Sequence, residues 1–198
     1  MKSQFKLVKV KGKEILPYIE ALSKLRIEIF KEFPYLYIGD MEYEKKYLNT
    51  YSTCPESFAA LVLDNEQVVG ATTAIPLKFE TEECQKPFID NSMNINEIFY
   101  LGESVLLQSH RGLGIYKTFF EARETAACEY GCKITTFCAV ERPWDHPRRP
   151  KDYVPLDEVW QHFGYQKISH LNTYYEWKEI DEETQSPKKM VFWLKTQL

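Results

Sequence analysis

Between residues 103 and 117 the sequence gathers what is needed to hold a phosphorylated ligand and to move a proton beside it. Arg111-Gly112-Leu113-Gly114 follows an apolar run, Val105-Leu106-Leu107, and leads into Ile115-Tyr116-Lys117. Gly112 and Gly114 allow close backbone approach, and the first turn of a helix presents unpaired N–H groups at the positive end of its dipole. Phosphate is the natural guest of such a turn, with Arg111 and Lys117 adding charge. Several nucleotide-binding loops share this strand, turn and helix, and neither GxGxxG nor GxxxxGK[ST] is present. Glu103, on the strand just before the turn, has two readings. It is a general base facing a polar groove, or a structural acid paired with a lysine, arginine or backbone donor.

The elements that must position these groups are legible on both sides. Ile115, Phe119, Ala122 and Ala126 share one helix face, Lys117, Glu121, Arg123 and Glu124 take the other, and Gly131 stops the helix. Lys133 to Val140 reads as the next strand, so strand, helix and strand make a right-handed crossover between two parallel strands. Upstream, Phe5 to Val10 alternates as a first strand, and Glu14 to Phe33 carries helical spacing that Pro34 ends. Asp40 is placed to cap a second helix bearing Tyr43, Tyr47 and Leu48. Ser57 to Leu63 and Gln67 to Leu77 read as a hairpin around a three-residue turn, Asp64-Asn65-Glu66. Residues 79–96 are expected as a loop or short helix, and 96–107 as the strand that enters the glycine turn. Four of the ten prolines fall between Pro143 and Pro155, which marks a structured loop. A helix over 156–163 and strands over 165–177 and 190–195 close the chain.

Composition bounds the partners. The 198 residues, 44% hydrophobic, suit a single domain over 1–198, and the net charge of −4 offers nothing to a phosphate backbone, so nucleic acid is not expected as a partner. No apolar run reaches membrane-spanning length and the first residues lack a signal peptide's apolar middle, so no membrane association and a cytoplasmic location are expected. Five scattered cysteines fit a reducing compartment. Cys128 and Cys132 sit four apart on the helix without a second ligand pair, so both read as small buried side chains and no metal is expected.

Arg111-x-x-Gly114 resembles the coenzyme A pyrophosphate loop of the GNAT superfamily of N-acetyltransferases, with Tyr116 where Gly or Ala is usual. Trp160-Gln-His-Phe163-Gly164-Tyr165 is similar to the aromatic signature that follows the fourth helix of that family. The resemblance spans the chain in element order and implies an α/β fold. Its central sheet would be mixed and mostly antiparallel, of about seven strands, with the fourth and fifth parallel and splayed apart and helices on both faces. It implies acetyl-CoA as co-substrate, its pyrophosphate held by Arg111, Gly112, Leu113, Gly114, Ile115, Tyr116 and Lys117, and main-chain groups of Val105 and Leu106 on the pantetheine arm.

The implied reaction is transfer of the acetyl group to a primary amine of a small-molecule or peptide acceptor by direct attack in a ternary complex, with Glu103 as base. Phe33, Tyr35 and Tyr37, in the first helix pair and its connection, and His146, in the proline-rich loop, are the candidate acceptor contacts. The family's usual acid is a tyrosine where this chain has Trp160, whose indole donates a hydrogen bond but is no useful acid. Tyr153, Tyr165, Tyr174, Tyr175, Cys138 or water are the replacements. That departure keeps a catalytically silent acyl-CoA-binding or sensing module as the alternative, and a homodimer stays open.

Overall fold

A computed structural model of the chain describes residues 5–196. The described residues form eight strands and five α-helices. β1 (Lys6–Lys11), β2 (Phe58–Asp64) and β3 (Gln67–Pro76) are antiparallel neighbours. β4 (Ile98–Tyr100) and β5 (Ser104–Leu106) divide the strand expected over 96–107, and β6 (Ile134–Val140), β7 (Gln166–Trp177) and β8 (Ser186–Thr196) follow. The sheet order is β1-β2-β3-β4-β6-β8-β7, with β5 also paired to β3, and β4 with β6 is the parallel pair. The count is eight rather than seven because one strand is broken in the middle.

Helices cover both faces. α1 (Ile19–Phe30), α2 (Met41–Thr53) and α3 (Glu82–Asp90) pack Leu22, Leu48, Tyr51 and Phe88 against one face of the sheet. α4 (Ile115–Tyr130) and α5 (Asp157–His162) cover the other, through Phe119, Phe120 and Ala126 of α4 and Trp160 of α5. Alternation assigns the strand residues: Ala59 and Leu61 of β2 face α1 and α2, while Phe58, Ala60 and Val62 face α4. Asp40 caps α2, its Oδ1 accepting from the Tyr43 N–H at 2.9 Å. Among the described residues no helix is long and apolar enough to cross a membrane.

Three local expectations need correction. The helix expected from Glu14 begins as a 3-10 turn over Gly12–Tyr18, because Pro17 has no N–H for an α-helical bond, and α1 starts only at Ile19. The β2–β3 loop has two residues, Asn65 and Glu66, at φ of 47° and 67°, since Asp64 pairs with Gln67; two left-handed residues match the strand twist. Cys132 is buried, but Cys128 is exposed on the solvent side of α4.

The break between β4 and β5 is set by Gly102. The Leu101 N–H donates to the Thr136 carbonyl on β6 at 2.7 Å, but the Gly102 N–H donates to Thr73 on β3, whose N–H returns to Glu103. The strand thus changes partner within one residue. A Cβ at Gly102 would stand 2.2 Å from the Tyr51 hydroxyl and 2.6 Å from Thr73 Oγ1, both fully buried. Gly102→Ala is therefore expected to destabilise by about 1–3 kcal/mol through overpacking, read as a lower urea midpoint; an unchanged midpoint would show that the strand break tolerates a methyl group.

Candidate active site

Beyond Leu101 the parallel strands part, because β5 stays on β3 while β6 stays on β8 as far as Val140. A cavity of about 170 Å³ opens between them, bordered by Glu103 and Ser104 on one side, Phe137 and Cys138 on the other, and Tyr116, Phe120 and Trp160 from the covering helices. The bonds from Thr73 to Glu103 and from Leu107 to Val69 fix the alternation along β5. Residues 103, 105 and 107 turn their main-chain groups to β3, so those of Ser104 and Leu106 face the gap. This corrects the sequence reading: Leu106 is on the gap edge, but Val105 is turned away and Ser104 takes its place.

At the mouth of the gap, Gly112 and Gly114 adopt φ of 77° and 78°, the left-handed region that side chains disfavour. A Cβ on either would meet nothing within 4 Å, so the turn is an open cradle. Among the described residues no protein acceptor takes the N–H groups of residues 112 to 117; the first bond of α4 runs from Thr118 to the Gly114 carbonyl. Arg111 leans to one side, with Nε on the Leu106 carbonyl at 3.3 Å and Nη2 on Glu32 at 2.9 Å. Leu113 and Lys117 are exposed, and Ile115 is buried beneath the turn. Tyr116 points into the gap, where its hydroxyl accepts from the Trp160 indole N–H at 3.0 Å and burial raises its pKa.

A second cavity, of about 510 Å³, lies on the α1–α2 side, walled by Tyr37, Tyr43, Tyr47, Trp177, Glu44 and Glu80 among others. Phe30, Tyr35, Gly102 and Cys138 border both cavities and form the neck between them. Burial pushes the Cys138 thiol up to about 12, so it stays protonated at neutral pH; its sulfur meets the Tyr100 hydroxyl at 3.2 Å.

No protein-family model and no curated protein matches the sequence. Solved structures do match. A GNAT-family acetyltransferase from Streptococcus pneumoniae aligns over 96% of this chain and 99% of its own at TM-score 0.58 and 13% identity. The ribosomal-protein-alanine N-acetyltransferase of Brucella melitensis does so over 96% and 99% at TM-score 0.59 and 12% identity. A chain of the NatC complex bound to Gag peptide and CoA aligns over 98% and 99% at TM-score 0.56 and 12% identity. The chain has the GNAT fold.

On this GNAT fold the buried acids form one connected set. Arg26 of α1 donates from Nη1 to Glu103 Oε2 at 2.6 Å and from Nε to Glu44, while its guanidinium lies 4.4 Å from the Tyr47 ring centroid. Glu103 Oε1 and Glu44 Oε1 are buried without a partner among the described residues. Burial pushes the Glu103 pKa above the ordinary carboxylate value, and Arg26 pulls it back part of the way. A chain of hydroxyls runs onward: Tyr47 lies 3.5 Å from Glu103 and 3.1 Å from the Tyr51 hydroxyl, which donates to Glu80 at 2.8 Å. Burial raises the Glu80 pKa as well.

Tyr35 and Tyr37 border the second cavity, but Phe33 and His146 border neither. Those two rings pack on each other 5.6 Å apart, and Phe33 also meets Tyr153 edge-on at 4.7 Å, because the proline-rich loop folds back over the end of α1. Tyr165 is committed to Thr135 and Glu124. Arg123, expected on the solvent face of α4, is buried instead. It lies over the Phe120 ring at 4.7 Å and reaches the Glu103 carbonyl at 3.4 Å. The gap between the strands leaves room beneath α4, which a fully packed sheet would not.

Arg26, Glu44, Tyr51 and Glu80 are not among the site residues of the sequence reading, and Tyr47 enters it only as a residue of the second helix. One signal was present: Glu44, Leu48 and Tyr51 fall at i, i+4 and i+7, so an acid sits on the apolar stripe of α2 and requires a buried partner.

Proposed function

We propose that the protein is an acetyl-CoA-dependent N-acetyltransferase acting on a primary amine of a small molecule or peptide in a ternary complex. The observation that carries this reading is that two cavities of different character meet at one neck. One opens beside a cradle of unpaired N–H groups, the other is walled by tyrosines and carboxylates.

The N–H groups of residues 112 to 117 suit a diphosphate, with the cations of Arg111 and Lys117 nearby. Coenzyme A bound there supplies the acetyl group as a thioester. Main-chain groups of Ser104 and Leu106 line the path of the pantetheine arm, and one N–H aimed at a carbonyl oxygen contributes on the order of 3 kcal/mol to the transition state. On the acceptor side an ammonium must lose its proton before it attacks. Glu103 and Glu80, both with raised pKa and joined through Tyr47 and Tyr51, are the acceptors for that proton, directly or through water.

Tyr35 stands at the neck, and burial holds its pKa far above the usual tyrosine range. A hydroxyl so reluctant to ionise supports the departing thiolate as a hydrogen-bond donor rather than by giving up its proton. Tyr35 thus takes the place of an acid at the Trp160 position.

The Tyr116–Trp160 bond across the narrow gap favours a second reading, a module that binds an acyl-CoA without turnover. Isotope-labelled acetyl-CoA offered with a panel of amines separates the two. Label in an amide product, lost in Glu103→Gln, supports the transferase. Coenzyme A binding without any labelled product, equal in Glu103→Gln, supports the module. No binding rejects both.

A further inference from the structure

The second cavity carries more negative charge than one amine can use. Among the described residues Arg26 is the only basic one on its wall, and it is occupied by Glu44 and Glu103. Glu80, Glu83 and Glu176 also line the cavity, and none has a basic partner among the described residues. Their depths differ. Glu80 is buried at the end of the hydroxyl chain opposite Glu103, bonded to Tyr51, whose hydroxyl lies against Gly102 of the neck, whereas Glu83 of α3 and Glu176 of β7 are exposed at the rim. The bond from Thr173 Oγ1 to the Glu83 carbonyl, at 2.8 Å, ties α3 to β7 and so keeps the two rim segments together.

Two further observations point to a cationic guest. Glu44 is fully buried on the cavity wall beside Tyr37, and one of its carboxylate oxygens accepts no hydrogen bond among the described residues. The wall is rich in aromatic rings, and Tyr43 and Tyr174 at the rim are both 54% exposed, a residue type whose ring attracts ammonium groups. Arg26, sandwiched near Phe30 and Tyr47 at 5.0 and 4.4 Å, shows how these walls accommodate a positive charge.

We propose that the acceptor is a linear dication: an aliphatic amine whose reacting nitrogen enters the neck near Glu80 while a second ammonium group is held at the rim by Glu83, Glu176, Tyr43 and Tyr174. This rests on the transferase reading for the fate of the first nitrogen, but the rim site itself is a matter of binding. A monocation would leave the rim acids unmatched. The cavity, at about 510 Å³, has the capacity of ordinary small-molecule sites and accommodates an extended chain of several methylene groups.

The test is calorimetric titration of the full chain, with coenzyme A present, with an α,ω-diamine and with the alkyl monoamine of the same length. The diamine is expected to bind about tenfold or more tightly at low salt, with the advantage shrinking as salt rises. Glu83→Gln with Glu176→Gln, both exposed and tolerant, is expected to erase the difference while leaving the monoamine unchanged. Glu44→Gln perturbs a buried pair, so the rim variants decide. Equal affinities for the two amines, or a preference that survives the rim double variant, would overturn the proposal. A diamine that binds preferentially but is never acetylated would leave the rim site standing and reject the transferase reading instead.

Discussion

Arg26→Met is expected to lower the unfolding free energy by about 3–5 kcal/mol at neutral pH, the loss typical of stranding a buried charge. The side chain lies between two carboxylates that are almost fully buried, Glu44 and Glu103, so removing it leaves both without their cation. The deficit should depend on pH in a definite direction. The folded pKa of Glu103 is already above the ordinary carboxylate value, so the folded state binds more protons than the unfolded chain in the window between the two. Stability from this group is therefore fully present below the ordinary value and is lost as pH rises through the folded one. Without Arg26 the pKa of Glu103 rises further, so the variant recovers part of its deficit as pH falls. Urea unfolding of both proteins at about pH 5 and about pH 8 measures this, because exposed ion pairs common to both cancel in the difference. Adding Glu44→Gln and Glu103→Gln to Arg26→Met should restore most of the lost stability. A deficit under about 1 kcal/mol, or one independent of pH, would mean that the cluster is far better solvated than its burial indicates.

Tyr35→Phe is expected to lower kcat by about 10- to 100-fold with little change in the KM for the acyl donor. A hydrogen bond to a charged group is worth about 1.5–3 kcal/mol, and the thiolate carries that charge only as the carbon–sulfur bond breaks. The substitution keeps the ring, which packs against Phe30 at 4.7 Å and Trp177 at 6.0 Å, so the fold should be unaffected. Equal losses in kcat and in donor affinity would assign Tyr35 to binding instead. No loss at all would return the role to Tyr153, which also borders the gap, or to water.

Much of the fold was legible because it is written in local pattern. The alternation of β1, the apolar runs of β2 and β3 around a polar turn, the cap at Asp40, the amphipathic α4 and its stop at Gly131 each depend on neighbours within a few residues. The glycine turn was legible for the same reason, since positive φ at Gly112 and Gly114 is a local demand. What escaped depends on tertiary register. Nothing near Gly102 in sequence announces Tyr51 and Thr73, the groups that forbid a side chain there. The choice between Val105 and Ser104 is a one-residue question of strand phase, settled only by which carbonyls on β3 are paired. Phe33 was expected at the acceptor site from the family resemblance and His146 from the charge of its loop, but the proline-rich loop brings the two to each other.

The buried acids lie between these cases. Glu103 was singled out because a carboxylate on an apolar strand demands a reason, and its structural partner is Arg26 from a helix far away in sequence. The reading of Glu103 as pair or as base does not divide cleanly, since one oxygen is held by Arg26 and the other is left open. Glu80 was passed over as one acid in a polar stretch, although its neighbours Glu82 and Glu83 are exposed and it is not. Burial distinguishes them, and burial there follows from the long-range contact with Tyr51.

The central claim is that a diphosphate-bearing thioester carrier docks where the backbone bends around residues 112 to 117. Titrating isotopically labelled protein with coenzyme A while following backbone amide resonances reads those N–H groups individually. The account predicts saturable shifts that are largest for residues 112 to 117 and extend to Ser104 and Leu106. Saturable binding that leaves the amides of 112 to 117 unmoved, or no binding at all, would contradict it.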